Sequence, residues 1–337
     1  MGALTRRELL FSLGGVAAAG LAAGSGAHSV NGSATNSTND GSVVRSREAT
    51  KMPVVYLPHG GGPWPFVESG FGAPGALEKY LRKLNDVPPV SPRALLVVSA
   101  HWEGERPTVM TSKHPPMLYD YYGFPEAAYR VTWPAPGDPA SAVEVRDLLE
   151  SSGIPSATEH ARGFDHGTFV VAALAYPAAS IPTFQLSLKR NLSPLDHVRI
   201  GRAIAPLRER GIFIIGSGMS YHNLSNFIDA VRGRPGTMEA ESRFFNEWLI
   251  ETVTSDPDVC ESRLVEWESA PFARACHPRE EHLLPLMVIA GAAGNDIGQV
   301  PYSEIIYGAH TSAVQFGGAK PETMRGAVDR AYRSASG

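Results

Sequence analysis

Five histidines stand where the chain changes direction, each beside glycine, proline or a small polar residue. They are His59 in PHGGGPW, His101 in SAHW, His166 in GFDHG, His222 in GSGMSYHNL and His282 in HPREEHLLPL. Neutral imidazole is the commonest nitrogen ligand for Fe, Zn, Cu and Ni, so five histidines in such turns point to a metal centre. Residues so far apart in sequence converge only where strand ends meet in one fold. His28, His114, His160 and His197 lack the turn context and read as surface or loop residues. His277, which lies five residues ahead of His282 and opens the same motif, and His310, in a Gly-Ala-His-Thr-Ser turn, are intermediate.

The elements that must position these side chains are visible as unalternated apolar runs at Val54–Leu57, Ala94–Val98, Thr183–Leu186 and Ile212–Ile215. Runs of this kind are what strands covered on both faces look like. Helical spacing lies between them, at 74–84, 139–149, 168–175, 194–208 and 238–252. The alternation predicts an α/β fold, a three-layer α/β/α sandwich around a central mostly parallel or mixed sheet. Leu57 leads to His59, Val98 to His101 and Ile215 to His222, and the crevice of an open α/β sheet lies beyond the carboxyl ends of its strands. His282 falls at the N-terminal end of a buried helix that takes Pro285 into its first turn and stops at Gly294. Ser312–Phe316 reads as a last strand.

Composition narrows the function. Among 337 residues, 30 Lys and Arg face 34 Asp and Glu with no basic run, so no nucleic-acid footprint is visible and a small neutral or weakly anionic substrate fits better. Cys260 and Cys276 have no C-x-x-C spacing, which excludes a thiolate zinc site and a disulfide framework. Gly60-Gly61-Gly62 lacks the Lys-Ser/Thr of a phosphate loop. Gly216-Ser217-Gly218 fails the frame of a nucleophile elbow, which disfavours a serine hydrolase.

Residues 1–28, with Arg6-Arg7 ahead of a short Gly/Ala-rich stretch, resemble a twin-arginine export signal and are too short for a stable membrane span. Residues 29–51 read as a disordered linker, 52–319 as one catalytic domain and 320–337 as a polar tail. An exported, periplasmic or extracellular protein is expected; a start at Met52 would instead leave it cytoplasmic.

In order along the chain, PHGGGPW, SAHW, GFPEAAY, PAPGDP, GFDHGTF, GSGMSYHNL and HPREEHLLPL resemble the LigB-like class III extradiol dioxygenases, and within them the 4,5-DOPA dioxygenase group. The resemblance spans nearly the whole of 52–317. It implies non-haem Fe(II), with Zn(II) as a competing occupant, held by His59, His101 and either His282 or Glu281. His282 is the preferred third ligand, Glu281 the alternative, and His222 a possible fourth. It also implies that the ring of a small aromatic diol is opened with O2, without NADH or flavin. His222 then serves proton transfer and His166 orients substrate or oxygen. Asp165 either fixes the tautomer of His166 or caps the helix that follows. Ser217 and Tyr221, on adjacency alone, and Asp165 are offered as substrate-binding residues. Trp64, Trp102, Tyr119, Tyr121, Tyr122 and Phe124 could stack on a ring, although packing is the commoner use of such residues. A homodimer is the default assembly. The rival readings are a zinc-dependent hydrolase and a non-catalytic carrier of metal or phenolic ligands.

Overall fold

The computed structural model describes residues 51–67, 75–234 and 236–319, all within one compact unit, Ala49–Gly337. The twin-arginine-like head, the linker apart from Lys51, and the 320–337 tail lie outside the described residues. No helix among the described residues is long and apolar enough to cross a membrane.

Eight strands form one mixed sheet: β1 (Val54–Pro58), β2 (Ala94–Gly104), β3 (Thr108–Met110), β4 (Ala157–Glu159), β5 (Thr183–Lys189), β6 (Ile212–Gly218), β7 (Gly298–Ile306) and β8 (Ala309–Phe316). Their order is β4-β3-β5-β2-β6-β1-β8-β7. The central strands β5, β2, β6 and β1 run parallel to one another, while β8 joins β1, and β7 joins β8, antiparallel. Helices α1 (Gly75–Arg82), α2 (Pro139–Ser151), α3 (His166–Ala175), α4 (Pro194–Ile204), α5 (Leu224–Val231), α6 (Met238–Val253), α7 (Pro257–Val265), α8 (Ala273–Cys276) and α9 (Leu284–Ala293) complete the described chain.

Strand β6 shows why the sheet needs cover on both sides. Gly216 turns toward α9, where a Cβ would press on Ile289 and on the Pro285 carbonyl, while its neighbour Ser217 faces the opposite way and donates to the Gly167 carbonyl of α3 at 2.5 Å. Successive residues of a strand point to opposite faces, so α9 and α3 lie on different sides. The expected α/β sandwich is therefore the observed one, with helices on both faces of a mixed sheet.

Several boundaries differ from the sequence expectation. The helix anticipated over 194–208 stops at Ile204, because Pro206 has no amide hydrogen to continue the ladder, and a 3-10 segment, Ala205–Arg210, follows. Helix α3 begins at His166, two residues early, since Asp165 accepts from the Thr168 amide as its N-cap. Strand β2 does not end before His101 but runs on to Gly104, with its register against β5 broken between Ser99 and Glu103. That irregularity is where His101 sits. Such breaks re-aim a side chain away from simple alternation. His197 is not a surface residue: it is fully buried in α4, accepting from the Lys189 amide through Nε2 and facing the Ser193 carbonyl through Nδ1. Arg208 is also buried, and its guanidinium donates to the carbonyls of Met52, Ala292 and Ala293 and pairs with Asp296. A buried guanidinium needs this many acceptors to stay charged without water.

Candidate metal centre

The parallel strands end on one edge, and the edge gathers the histidines. His59 follows β1 directly; Gly60 after it has φ +79°, and any Cβ there would strike the Trp64 indole, so the backbone turns back only with glycine at this place. His282 precedes α9, and its position is set by backbone. Its carbonyl accepts from the Tyr56 hydroxyl of β1 at 2.8 Å and from the Met219 amide beyond β6 at 3.0 Å. Gly218 allows the contact, since a Cβ there would collide with that same carbonyl. His166 opens α3.

His59, His101 and His282 each present a nitrogen within 4.8 Å of the others. The tautomers explain why. His59 Nδ1 faces the Gly60 carbonyl at 2.8 Å, His101 Nδ1 faces Asp120 Oδ2 at 3.3 Å, and His282 Nδ1 faces Glu281 Oε1 at 2.9 Å. His59 and His282 are hydrogen-bonded at Nδ1 and His101 has a carboxylate beside its Nδ1, an arrangement that favours the proton on Nδ1 in all three and turns the Nε2 lone pairs inward. Those of His59 and His101 stand 3.3 Å apart, and that of His282 is buried with no hydrogen-bond partner. Lone pairs facing each other in a buried place repel unless a cation lies among them. This donor set fits a divalent metal. Burial, with the neighbouring imidazoles, pushes all three histidines well below their ordinary pKa, so they are neutral at pH 7, as ligands must be.

Two carboxylates flank the three. Asp120 Oδ1 accepts from both the amide and Nδ1 of His166, at 2.9 and 2.8 Å, while its Oδ2 faces His101. Glu281 Oε1 faces Nδ1 of His282 and also Nδ1 of His222, at 3.1 Å, and the rings of these two histidines stack 3.4 Å apart. Burial alone would raise both carboxyls and lower His166. The histidines beside them outweigh burial, so Asp120 and Glu281 are held low, Glu281 well below the usual carboxylate range, and Asp120 in turn raises His166.

The structure brings His282, rather than Glu281, together with His59 and His101; Glu281 groups instead with His222 and His282. His222 lies on the face of the His282 ring and is outside the three-histidine group. Asp165 does not touch His166 through its ring. It is wholly buried and accepts from Ser99, Arg162, Thr168 and Gln185, so it anchors α3 to the sheet. The carboxylate on His166 is Asp120, which the sequence analysis did not single out. Ser217 and Tyr221 are both fully buried, the first bonded to Gly167 and the second accepting from Asn226. Of the aromatics, Tyr119 and Tyr121 spend their hydroxyls on the carbonyls of Val131 and Ala128, Trp64 and Trp102 are buried, and Tyr122 is exposed. His277 is buried with Nε2 on the Ser220 carbonyl, and neither it nor His310 enters the group. Cavities of about 90 and 350 Å³ lie at the carboxyl end of α9 and beside Gly153, and none of the five histidines lines them. The donor set, not cavity size, therefore locates the chemistry.

The family described as the catalytic LigB subunit of aromatic ring-opening dioxygenase matches residues 68–317. Dioxygenase tasH of Hapsidospora irregularis is 36% identical over 290 residues, 80% of this chain and 87% of that protein. The 4,5-DOPA dioxygenase extradiol of Beta vulgaris is 39% identical over 206 residues, 61% of this chain and 75% of that protein. The Escherichia coli protein of the same name is 33% identical over 244 residues, 72% and 86% of the two chains. A crystal structure of an uncharacterized Escherichia coli protein superposes with a TM-score of 0.63 at 29% identity, covering 79% of this chain and all of that one.

Proposed function

Because the chain belongs to the LigB family of aromatic ring-opening dioxygenases and is an extradiol ring-cleaving enzyme, we propose that its metal is ferrous iron held by His59, His101 and His282. The proposed substrate is a catechol of the DOPA kind, in keeping with the names of several relatives. The observation that carries the reading is the convergence of three Nε2 lone pairs whose Nδ1 atoms are all engaged elsewhere. When bound, iron supplies electron exchange between an ortho-diol and O2, and three protein ligands leave positions for both.

The rest falls to the side chains. His222 has Nδ1 turned to Glu281, so its Nε2 is the free basic nitrogen and takes the diol proton. His166, with Nδ1 on Asp120, keeps Nε2 for orienting substrate or oxygen. Glu281 holds His222 and His282 in register and is not a ligand. Zn(II) suits the same three imidazoles and competes for the site. The Arg6-Arg7 head fits export of a chain folded around its metal; fractionation of cells carrying Arg6→Lys and Arg7→Lys tests this, and unchanged distribution would remove it.

The experiment that tests the function is anaerobic loading with Fe(II), addition of a panel of catechols, and admission of oxygen. Oxygen uptake with the absorbance of a ring-opened muconic semialdehyde is expected, and the spectrum identifies the bond cleaved. Ester or amide hydrolysis by the zinc form, without oxygen uptake, would replace this reading by the hydrolase.

A further inference from the structure

We infer that Asp120 is a positioning residue whose one carboxylate sets the tautomers of His101 and His166 together. The inference rests on the metal-centre reading above and deepens it. Asp120 lies in the LYDYYGFP segment, far in sequence from both histidines, yet its two oxygens are divided between them. Oδ1 takes the His166 amide at 2.9 Å and the His166 Nδ1 proton at 2.8 Å; Oδ2, buried and without a hydrogen-bond partner, lies 3.3 Å from His101 Nδ1, an ion-pair approach rather than a hydrogen bond. The hydrogen bond fixes the His166 proton on Nδ1, and the carboxylate oxygen beside His101 Nδ1 favours the proton there too, since a bare nitrogen lone pair would face a negative charge.

The consequence for His101 is specific. Its Nε2 stands 3.3 Å from His59 Nε2. Were the proton moved from Nδ1 to Nε2 of His101, this pair would become an ordinary hydrogen bond, with His101 donating and His59 accepting. That state satisfies both rings and refuses a cation. Asp120 Oδ2 prevents it, because the bare Nδ1 of that tautomer would face a carboxylate oxygen. The same 3.3 Å contact is thus a metal seat or a closed hydrogen bond according to the group behind His101.

This makes the near-isosteric variant more harmful than the truncated one. In Asp120→Asn the oxygen stays on His166, since the flipped amide would set a donor against the His166 N–H. The NH2 group then points at His101 Nδ1 and drives its proton to Nε2. In Asp120→Ala nothing is imposed on His101, which keeps access to the binding tautomer.

The test is Zn(II) affinity by chelator competition, with imidazole nitrogen chemical shifts of the metal-free proteins. Wild-type His101 and His166 are expected as Nδ1–H tautomers. Asp120→Ala should bind Zn(II) about 10-fold more weakly and Asp120→Asn more than about 100-fold more weakly, with His101 of Asp120→Asn converted to Nε2–H while His166 is unchanged. Equal affinities in the two variants, or a His101 tautomer indifferent to the substitution, would overturn the inference. If Asp120→Asn fails to fold, the tautomers of the wild-type protein and Asp120→Ala decide alone: Nε2–H at His101 in the wild type sinks the idea. Wild-type protein that binds no divalent metal would instead sink the metal-centre reading, so the two failures are told apart.

Discussion

Two flanks of the centre are built on one plan and differ in execution. In each, a carboxylate stands between one histidine of the metal group and one outside it: Asp120 between His101 and His166, Glu281 between His282 and His222. Asp120 splits its oxygens, one for each imidazole, and is also fixed by a backbone amide. Glu281 lets a single oxygen serve both rings and turns the other toward Arg279 at 3.3 Å, which is itself paired with Glu103 of β2. The difference teaches that the flank of Asp120 depends on hydrogen-bond polarity at both oxygens, whereas that of Glu281 asks for a single acceptor oxygen shared by two rings.

The plan itself is most severely tested by removing the shared function of the flanks. His101→Ala and His282→Ala should each weaken metal binding by more than about 100-fold and abolish oxygen uptake, since ligand loss exceeds the effect of losing an outer partner. A flank whose ligand can be removed without loss of metal is not part of the centre. Next come the outer histidines, where the flanks should part. His222→Gln is expected to lower kcat by about 10²–10⁴-fold, the usual worth of a positioned proton acceptor. His166→Gln should act more on KM. The reverse order would exchange their roles, and steady-state kinetics over a range of catechol concentrations decides it.

Acid acts on both flanks, since burial lowers His101 as well as His282. His277, behind the Glu281 flank and outside the metal group, is fully buried and pushed by burial down to about 3. The folded state therefore favours the neutral ring: its stabilisation is complete above the unfolded value near 6.5 and is lost as pH falls below that, through the folded value. Between pH 7 and 5 the loss is about 2 kcal/mol. Urea unfolding of the metal-free protein at the two pH values reads it, and His277→Gln should flatten the slope; an unchanged slope removes His277 as the cause. The smallest effect sharpens the comparison most. Glu281→Gln keeps an oxygen for both rings and should weaken metal binding by less than about 10-fold, although the same exchange of carboxylate for amide at Asp120 is severe. Equal losses at the two positions would erase the distinction.

What the sequence made legible follows from these contacts. Four of the five histidines follow a strand or stand at the start of a helix, and His101, though inside β2, comes straight after the apolar run that marks it, so local punctuation picks out such places. Asp120 does not, since its partners are reached only through tertiary approach and its surroundings, LYDYYGFP, read as an aromatic loop. His197 was legible and misread: with Ile200, Gly201 and Ile204 it lies on the buried stripe of α4, and that spacing places it inside. Strand β7 was hidden because GQVPYSEII carries a proline and mostly half-buried side chains, which an edge strand tolerates and an interior one would not. The strands β3 and β4 are too short for a periodic signal.

The backbone at the last of the three imidazoles is anchored by its neighbours on the sheet. The carbonyl of His282 is held by Tyr56 and Met219 through hydrogen bonds that engage no imidazole nitrogen, so the backbone of the fold fixes where this ring starts. A preset ring of imidazoles admits several first-row cations and ranks them by their own affinities rather than by fit. For the proposed ferrous site, the metal at hand when the chain is filled then counts for as much as the ligands themselves.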